Sequence, residues 1–245
     1  MIKAIVFDVD DTLYDLSGPF KEAFHELYPL EELDLEGAFL ASRRYSDSVY
    51  AKSLSGEMSM EDMYVYRFQN AFHDYGKNMD AQEALHFQEI YEKHQHMIHM
   101  TEAMQEFLKE LSDKMVLGII TNGPSGHQWD KIRALEATRW IPKDHVFISG
   151  EHGVAKPERR IFELVQKKLK LQPQEFCYVG DSYENDMEGA KGAGWNAIWY
   201  NHRNHRPTGS AEPDYMVRSE KELLELLSLV ASGKEHCKSH IFLIK

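Results

Sequence analysis

Short apolar runs punctuate the chain: 2–7 (Ile-Lys-Ala-Ile-Val-Phe), Val116–Thr121, His145–Ser149, Phe176–Gly180 and Asn196–Tyr200. Runs of this length, rich in β-branched residues and without polar alternation, predict strands buried on both faces. Between the later runs the period changes to that of a helix. Thr101–Leu111 places Met104, Phe107, Leu108 and Leu111 on one face, and Glu158–Leu169, after Pro157, turns Ile161, Phe162, Val165 and Leu169 inward. Strands alternating with helices predict an α/β fold, a parallel sheet with helices on both faces. One stretch breaks the alternation. From Ser17 to His96 the pattern is helical throughout, punctuated near Pro29, Gly56 and Gly76, with a helix start at Ser59-Met60-Glu61-Asp62. That is far more than a crossover between neighbouring strands requires. The expected organisation is therefore a discontinuous core, 1–15 and 98–230, a helical insert at 16–97, and a tail at 231–245.

Composition narrows the class. Of 245 residues, 42% are hydrophobic and 28% charged, as in an ordinary globular protein. The formal net charge of −12 repels nucleic acid and anionic membranes, so neither is expected as a partner. No apolar stretch is long enough for a membrane span, and Met1-Ile2-Lys3 leads straight into a strand, so a cytoplasmic protein is expected. The two cysteines point to no disulfide framework; Cys177 reads as a core residue.

The chemistry gathers where strands end. After the first strand come Asp8, Asp10 and Asp11, three carboxylates within four positions, and alternation puts Asp8 and Asp10 on one side. Such crowding is costly unless a cation joins it, and an oxygen-only set suits a hard ion such as Mg²⁺. A second strand end repeats the pattern in Gly180-Asp181-Ser182-Tyr183-Glu184-Asn185-Asp186. Helix capping by Asp181 or Ser182 accounts for one of these residues but not for the repeat. Thr121-Asn122-Gly123 offers a hydroxyl and main-chain N–H groups that can hold a phosphate oxygen, and Lys156 precedes a helix start. Taken singly, the last two also fit a turn and an exposed charge.

In order, the motifs DVDDTL, IITNG, VAKPERRIF and VGDSYENDMEGAKGAG resemble those of the haloacid dehalogenase superfamily of phosphohydrolases, across nearly the whole chain. The resemblance implies a three-layer Rossmann-like core, with the helical insert as an α-helical cap. It implies Asp8 as nucleophile and Asp10 as general acid and then base. It also implies Mg²⁺ held by Asp8, the Asp10 carbonyl and Asp181, with Asp186 supporting the metal's waters or Lys156. Thr121, Asn122 and Lys156 would bind the phosphoryl oxygens. The implied activity is Mg²⁺-dependent hydrolysis of a small-molecule phosphate ester through an aspartyl-phosphate, by a monomer or homodimer. The family's dehalogenases lack the second acid that Asp10 supplies here. A phosphomutase shares all four motifs, and a non-catalytic binding protein would be expected to have lost one. The core motifs, with Trp199-Tyr200-Asn201-His202-Arg203, are similar to the nucleotidase-like branch, which includes nucleoside monophosphatases and sugar-phosphate phosphatases.

Other features read more plainly. Arg43, Arg44, Tyr45 and Tyr50 lie in the insert and read as ordinary helix residues, with reach toward a substrate as the alternative. His94, His96 and His99, and in the tail His236, Cys237 and His240, lack the ligand complement of a metal site. Asn201–Pro207, with Arg203 and Arg206, follows a strand end and reads as a solvated loop, with contact to a phosphate as the alternative, and Trp129, Trp140, Trp195 and Trp199 read as packing residues.

Overall fold

The computed structural model describes residues 1–233; the tail from 234 on, with His236, Cys237, His240 and the run 241–244, lies outside the described residues. The chain divides into two compact units, Met1–Asp15 with His99 onward, and Leu16–Ile98. In order, the elements begin with β1 (Ala4–Phe7), then four helices, α1 (Gly18–Leu27), α2 (Leu35–Ser55), α3 (Met60–Asp74) and α4 (Ala81–Gln95). There follow α5 (Glu102–Ser112), β2 (Val116–Thr121), α6 (Ser125–Ala134), β3 (Val146–Ile148), α7 (Ser149–His152) and α8 (Arg159–Leu169). The chain then forms β4 (Phe176–Gly180), a π-helical turn at Tyr183–Met187, α9 (Glu188–Gly192), β5 (Asn196–Tyr200), β6 (Tyr215–Val217) and α10 (Glu220–Ala231).

Among the described residues the first unit is built on one six-stranded sheet, ordered β3-β2-β1-β4-β5-β6 and parallel throughout. The α/β expectation holds, with one strand that the sequence did not announce: β6, only Tyr-Met-Val, at the edge beside β5. Tyr215 and Met216 are half-buried and only Val217 is buried, and three residues are too short a run to mark a strand. In β1, Ala4 and Val6 face a core with Phe162, Tyr178 and Trp195, and the alternate residues Ile5 and Phe7 are equally buried on the other face. That double burial is why β1 is apolar at every position.

Register decides where the polar residues land. Phe7 pairs with Ile119 of β2 and with Val179 of β4, so all three strands end at one level. The next residue, Asp8, donates its N–H to Val179 O at 2.9 Å. The chain leaves β1 for β2 on one side while β4 lies on the other, so β1 and β4 flank the switch point at which open parallel sheets hold their ligands.

The second unit, Leu16–Ile98, is helical. Asp34 and Ser59 cap α2 and α3, and Asp80 forms a capping box with Glu83 at α4. Its core is aromatic: Phe20 is enclosed by the rings of Phe39, Phe68, Phe72, Phe87 and Tyr91. Within that unit Arg67 is buried against Phe68 and hydrogen-bonds Gln88.

Candidate active site

Asp8 at the end of β1, Asp181 just after β4 and Asp186 on the π-helical turn bring carboxylate oxygens within 4.8 Å of one another. Among the described residues this is the one group of His, Cys, Asp or Glu side chains placed to share an ion. Capping of the turn falls to Ser182, whose hydroxyl accepts from Asn185 N, which leaves the Asp181 carboxylate to the cluster. Gly180 is required by packing: a Cβ there would overlap the Asp186 carboxylate.

Lys156, on the loop before α8, enters this cluster with its side chain only 3% exposed. Its Nζ donates to Asp8 Oδ1 at 2.7 Å, to Asp186 Oδ1 at 2.6 Å and to the Tyr178 hydroxyl at 2.9 Å. Ser182 N donates to Asp186 Oδ2, so the buried Asp186 is held through both oxygens. One ammonium faces three carboxylates, and the titration behaviour follows from that imbalance. Burial, then the charges of Asp186 and Asp10, push Asp8 up to about 7 against the opposing pull of Lys156. Burial, followed by Asp186 and Asp8, raises Asp181 well above the usual carboxylate range. For Lys156 burial opposes the charge, but Asp186 and Asp8 outweigh it and hold the ammonium above the ordinary lysine value. A divalent cation would correct the excess of negative charge, and the donors are all hard oxygens.

Asp10 stands apart from the carboxylate cluster. Its two oxygens each lie 2.7 Å from Lys131 Nζ, Tyr14 donates to Oδ1 at 2.5 Å, and Gln128 Nε2 approaches Oδ2 at 3.4 Å. Burial works against ionisation here, but Lys131, Tyr14 and Gln128 outweigh it and keep Asp10 below the usual carboxylate value. The two aspartates thus sit two positions apart with their acidities driven in opposite directions.

Thr121 is buried, and its hydroxyl donates to Gln128 Oε1 at 3.1 Å. Asn122 departs from the expected phosphate contact. Its side-chain amide donates to Lys156 O and its carbonyl oxygen accepts from Lys156 N, at 3.0 and 2.9 Å, so the side chain is spent on placing Lys156.

Residues 204–207 are exposed as expected, but Arg203 departs from the reading of Asn201–Pro207 as a solvated loop. Its side chain is 5% exposed and bonds both Asp11 oxygens at 2.6 Å and Asp15 at 2.7 Å. Asp11 has φ +57°, in the left-handed region, and the Arg203 fork pins this strained residue next to Asp10. Sequence reasoning missed Lys131, Gln128, Tyr14 and Tyr178, and did not foresee the pairing of Arg203 with Asp11. For Gln128 and Lys131 a signal existed: they are three apart on a helix that opens directly after Thr121-Asn122-Gly123, hence on one face.

Trp195, Trp199 and Cys177 are buried, Trp129 donates to Glu151 at 2.7 Å, and His94 bonds Glu26 beside Lys93 at the surface. In the helical unit Tyr45 bonds Asp74, while Arg43, Arg44 and Tyr50 are exposed. No helix among the described residues is long and apolar enough to cross a membrane.

Known proteins carry the same arrangement of chain. Glyceraldehyde 3-phosphate phosphatase from Pyrococcus furiosus is 27% identical over 238 residues, covering 92% of this chain and 93% of its own. N-acylneuraminate-9-phosphatase from Mus musculus is 27% identical over 253 residues, covering 94% and 95%. Among solved structures, L-2-haloacid dehalogenase from Xanthobacter autotrophicus superposes with a TM-score of 0.62 at 20% identity, over 93% of this chain and 99% of its own; at that identity only the fold is shared. The family model for haloacid dehalogenase-like hydrolases matches residues 2–194. With its parallel sheet, its helical insert after β1 and its acidic strand ends in the same order, this chain belongs to the haloacid dehalogenase-like hydrolase family.

Proposed function

We propose that this protein is a Mg²⁺-dependent phosphatase that hydrolyses a small phosphate monoester through an aspartyl-phosphate on Asp8. The observation that carries the reading is the buried cluster of Asp8, Asp181, Asp186 and Lys156 at the switch point, with Asp10 two residues from Asp8. The residues fit the ion: three oxygen donors are converged and share one ammonium, and the raised Asp8 and Asp181 report charge still to be balanced. Asp8, Asp181 and the Asp10 carbonyl would hold Mg²⁺, with Asp186 behind them. When bound, the ion supplies the positive charge that lets a carboxylate approach a dianionic ester.

The chain's own groups carry the steps. An Asp8 oxygen attacks phosphorus, the bond from phosphorus to the ester oxygen breaks, and the leaving oxygen takes a proton from Asp10. Water then attacks the phosphoryl group on Asp8 while Asp10 accepts its proton, releasing inorganic phosphate and regenerating Asp8. Lys156 and Thr121 neutralise and orient the phosphoryl oxygens, the greater part of the work in such a transfer. The Lys131 contact favours ionised Asp10, the form needed for the second step.

The two phosphatase relatives are named for phosphates of glyceraldehyde and of an acylneuraminate, so a phosphorylated sugar or sugar acid is the preferred substrate class, ahead of nucleotides. The unit Leu16–Ile98, inserted between β1 and β2, is assigned the part of cap and of substrate selection. The test is phosphate release from a panel of sugar phosphates, sugar-acid phosphates and nucleotides, with Mg²⁺ or EDTA, by wild type and Asp8→Asn. Release that needs both Mg²⁺ and Asp8 is expected. Turnover retained by Asp8→Asn would move the nucleophile elsewhere, and halide release from 2-haloacids without Mg²⁺ would replace the phosphatase reading by dehalogenation.

A further inference from the structure

The first turns of α6 reach back toward the loop after β1, and two of its side chains do so together. Gln128 is 2% exposed and uses both ends of its amide. Its Oε1 accepts from the Thr121 hydroxyl at 3.1 Å, and its Nε2 donates to Asn122 O at 3.0 Å and approaches Asp10 Oδ2 at 3.4 Å. One turn on, Lys131 places Nζ 2.7 Å from each Asp10 oxygen, with its side chain 13% exposed. Gly123 gives this brace its room, since a Cβ there would come within 2.7 Å of Gln128 Nε2. With Tyr14 on Oδ1, the Asp10 carboxylate is held from three directions and its plane is fixed.

We propose that Lys131 and Gln128 are positioning residues of the reaction assigned above: together they fix the orientation of the Asp10 carboxylate and tie it to the Thr121 hydroxyl. This rests on that phosphatase reading, because the orientation matters only if Asp10 passes protons and Thr121 meets the phosphoryl group. An ordinary surface pair would not look like this. Surface lysines meet carboxylates loosely and contribute little. Here both oxygens are engaged, both N–H groups of the neighbouring amide are used, and the same helix face serves two site residues on two different strand ends. A carboxylate that must reach a leaving oxygen in one step and a water in the next gains from a fixed plane, since a displacement of about 1 Å at a reacting group costs on the order of 100-fold.

The discriminating experiment compares an alkyl ester from the substrate panel with 4-nitrophenyl phosphate, whose leaving group departs without a proton. Steady-state kinetics are measured for wild type, Lys131→Met, Lys131→Arg and Gln128→Leu. Lys131→Met is expected to lose roughly 100-fold in kcat on the alkyl ester with KM within about 3-fold, and less than about tenfold on the nitrophenyl ester. Lys131→Arg, which keeps two donors for Asp10, should recover most of the loss. Equal losses on both esters, or a change in KM alone, would overturn the proposal and leave Lys131 as a charge that attracts the dianion. The crystal structure of Lys131→Met supplies an arm independent of turnover. An Asp10 carboxylate that rotates away from Gln128 supports the brace, and one that does not move sinks it. If wild type releases phosphate from no ester, the phosphatase reading fails, and the crystallographic arm still decides whether the brace exists.

Discussion

Replacing Lys156 by methionine removes the one cation in the carboxylate cluster and keeps much of the side chain's volume. Nζ lies 2.7 Å from Asp8 Oδ1 and 2.6 Å from Asp186 Oδ1, with the lysine side chain 3% exposed. At an effective dielectric of about 20, each contact is worth about 6 kcal/mol of Coulomb attraction before desolvation. Burying three charged groups offsets most of that gain. What remains when one partner of a buried pair is removed is a net loss of about 3–5 kcal/mol. For a chain of this length 1 kcal/mol corresponds to about 2–4 °C, so the melting temperature in EDTA should fall by roughly 6–20 °C. Mg²⁺ at about 100 times its dissociation constant returns about 2.7 kcal/mol. The rise on adding Mg²⁺ should exceed that of wild type, because the ion no longer competes with an ammonium. Lowering the pH should also recover part of the loss, as the freed carboxylates take up protons. All four tryptophans, Trp129, Trp140, Trp195 and Trp199, lie in the unit that carries the site, so tryptophan fluorescence follows that unit alone. A melting temperature within about 2 °C of wild type in EDTA would refute the charge balance described here. So would a loss unchanged by Mg²⁺ and by pH.

Wild type in EDTA should show an inverted pH dependence. Asp8 is raised to about 7 from 3.8, so between these values the folded state binds more protons than the unfolded, and stability should fall as pH rises through about 7; urea titrations at pH 5.5 and 8 that give the reverse order would contradict it. Gly180→Ala drives a methyl into the Asp186 carboxylate and should lower kcat by roughly 100-fold, read as phosphate release, by displacing the group that holds Lys156. Arg203→Met strands Asp11 beside its strained backbone and should cost about 3 kcal/mol in tryptophan-monitored denaturation, where an ordinary surface arginine would cost under 1. Phe20→Ala empties the centre of the aromatic cluster and should destabilise the helical unit by about 3–5 kcal/mol, seen by far-ultraviolet dichroism and leaving tryptophan fluorescence little changed.

The strands that read cleanly from the sequence are those buried on both faces. Ala4–Phe7, Val116–Thr121 and Phe176–Gly180 carry almost no polar residue, because burial on two sides admits none, and the same rule made β6 invisible. The acidic strand ends were legible for a related reason: repeated carboxylates are too costly to arise as decoration. The acidic pattern could thus name Asp8, Asp10, Asp181 and Asp186 as candidates, and the family resemblance added Lys156. It could not say which carboxylate meets which cation, since all of those partners but Lys156 and Asp186 are separated by more than a hundred positions. Lys156 going to Asp8 and Asp186 rather than to Asp10, Lys131 going to Asp10, and Arg203 going to Asp11 are settled by strand register and by the direction in which each helix leaves the sheet. Asn122 shows the same limit, for its side chain is consumed by the main chain of Lys156, a contact no local pattern encodes. The sequence determined which chemical groups are present and at which strand ends. Only the tertiary structure decided their pairing, because charge interactions depend on distance and burial, and those are properties of the packed sheet.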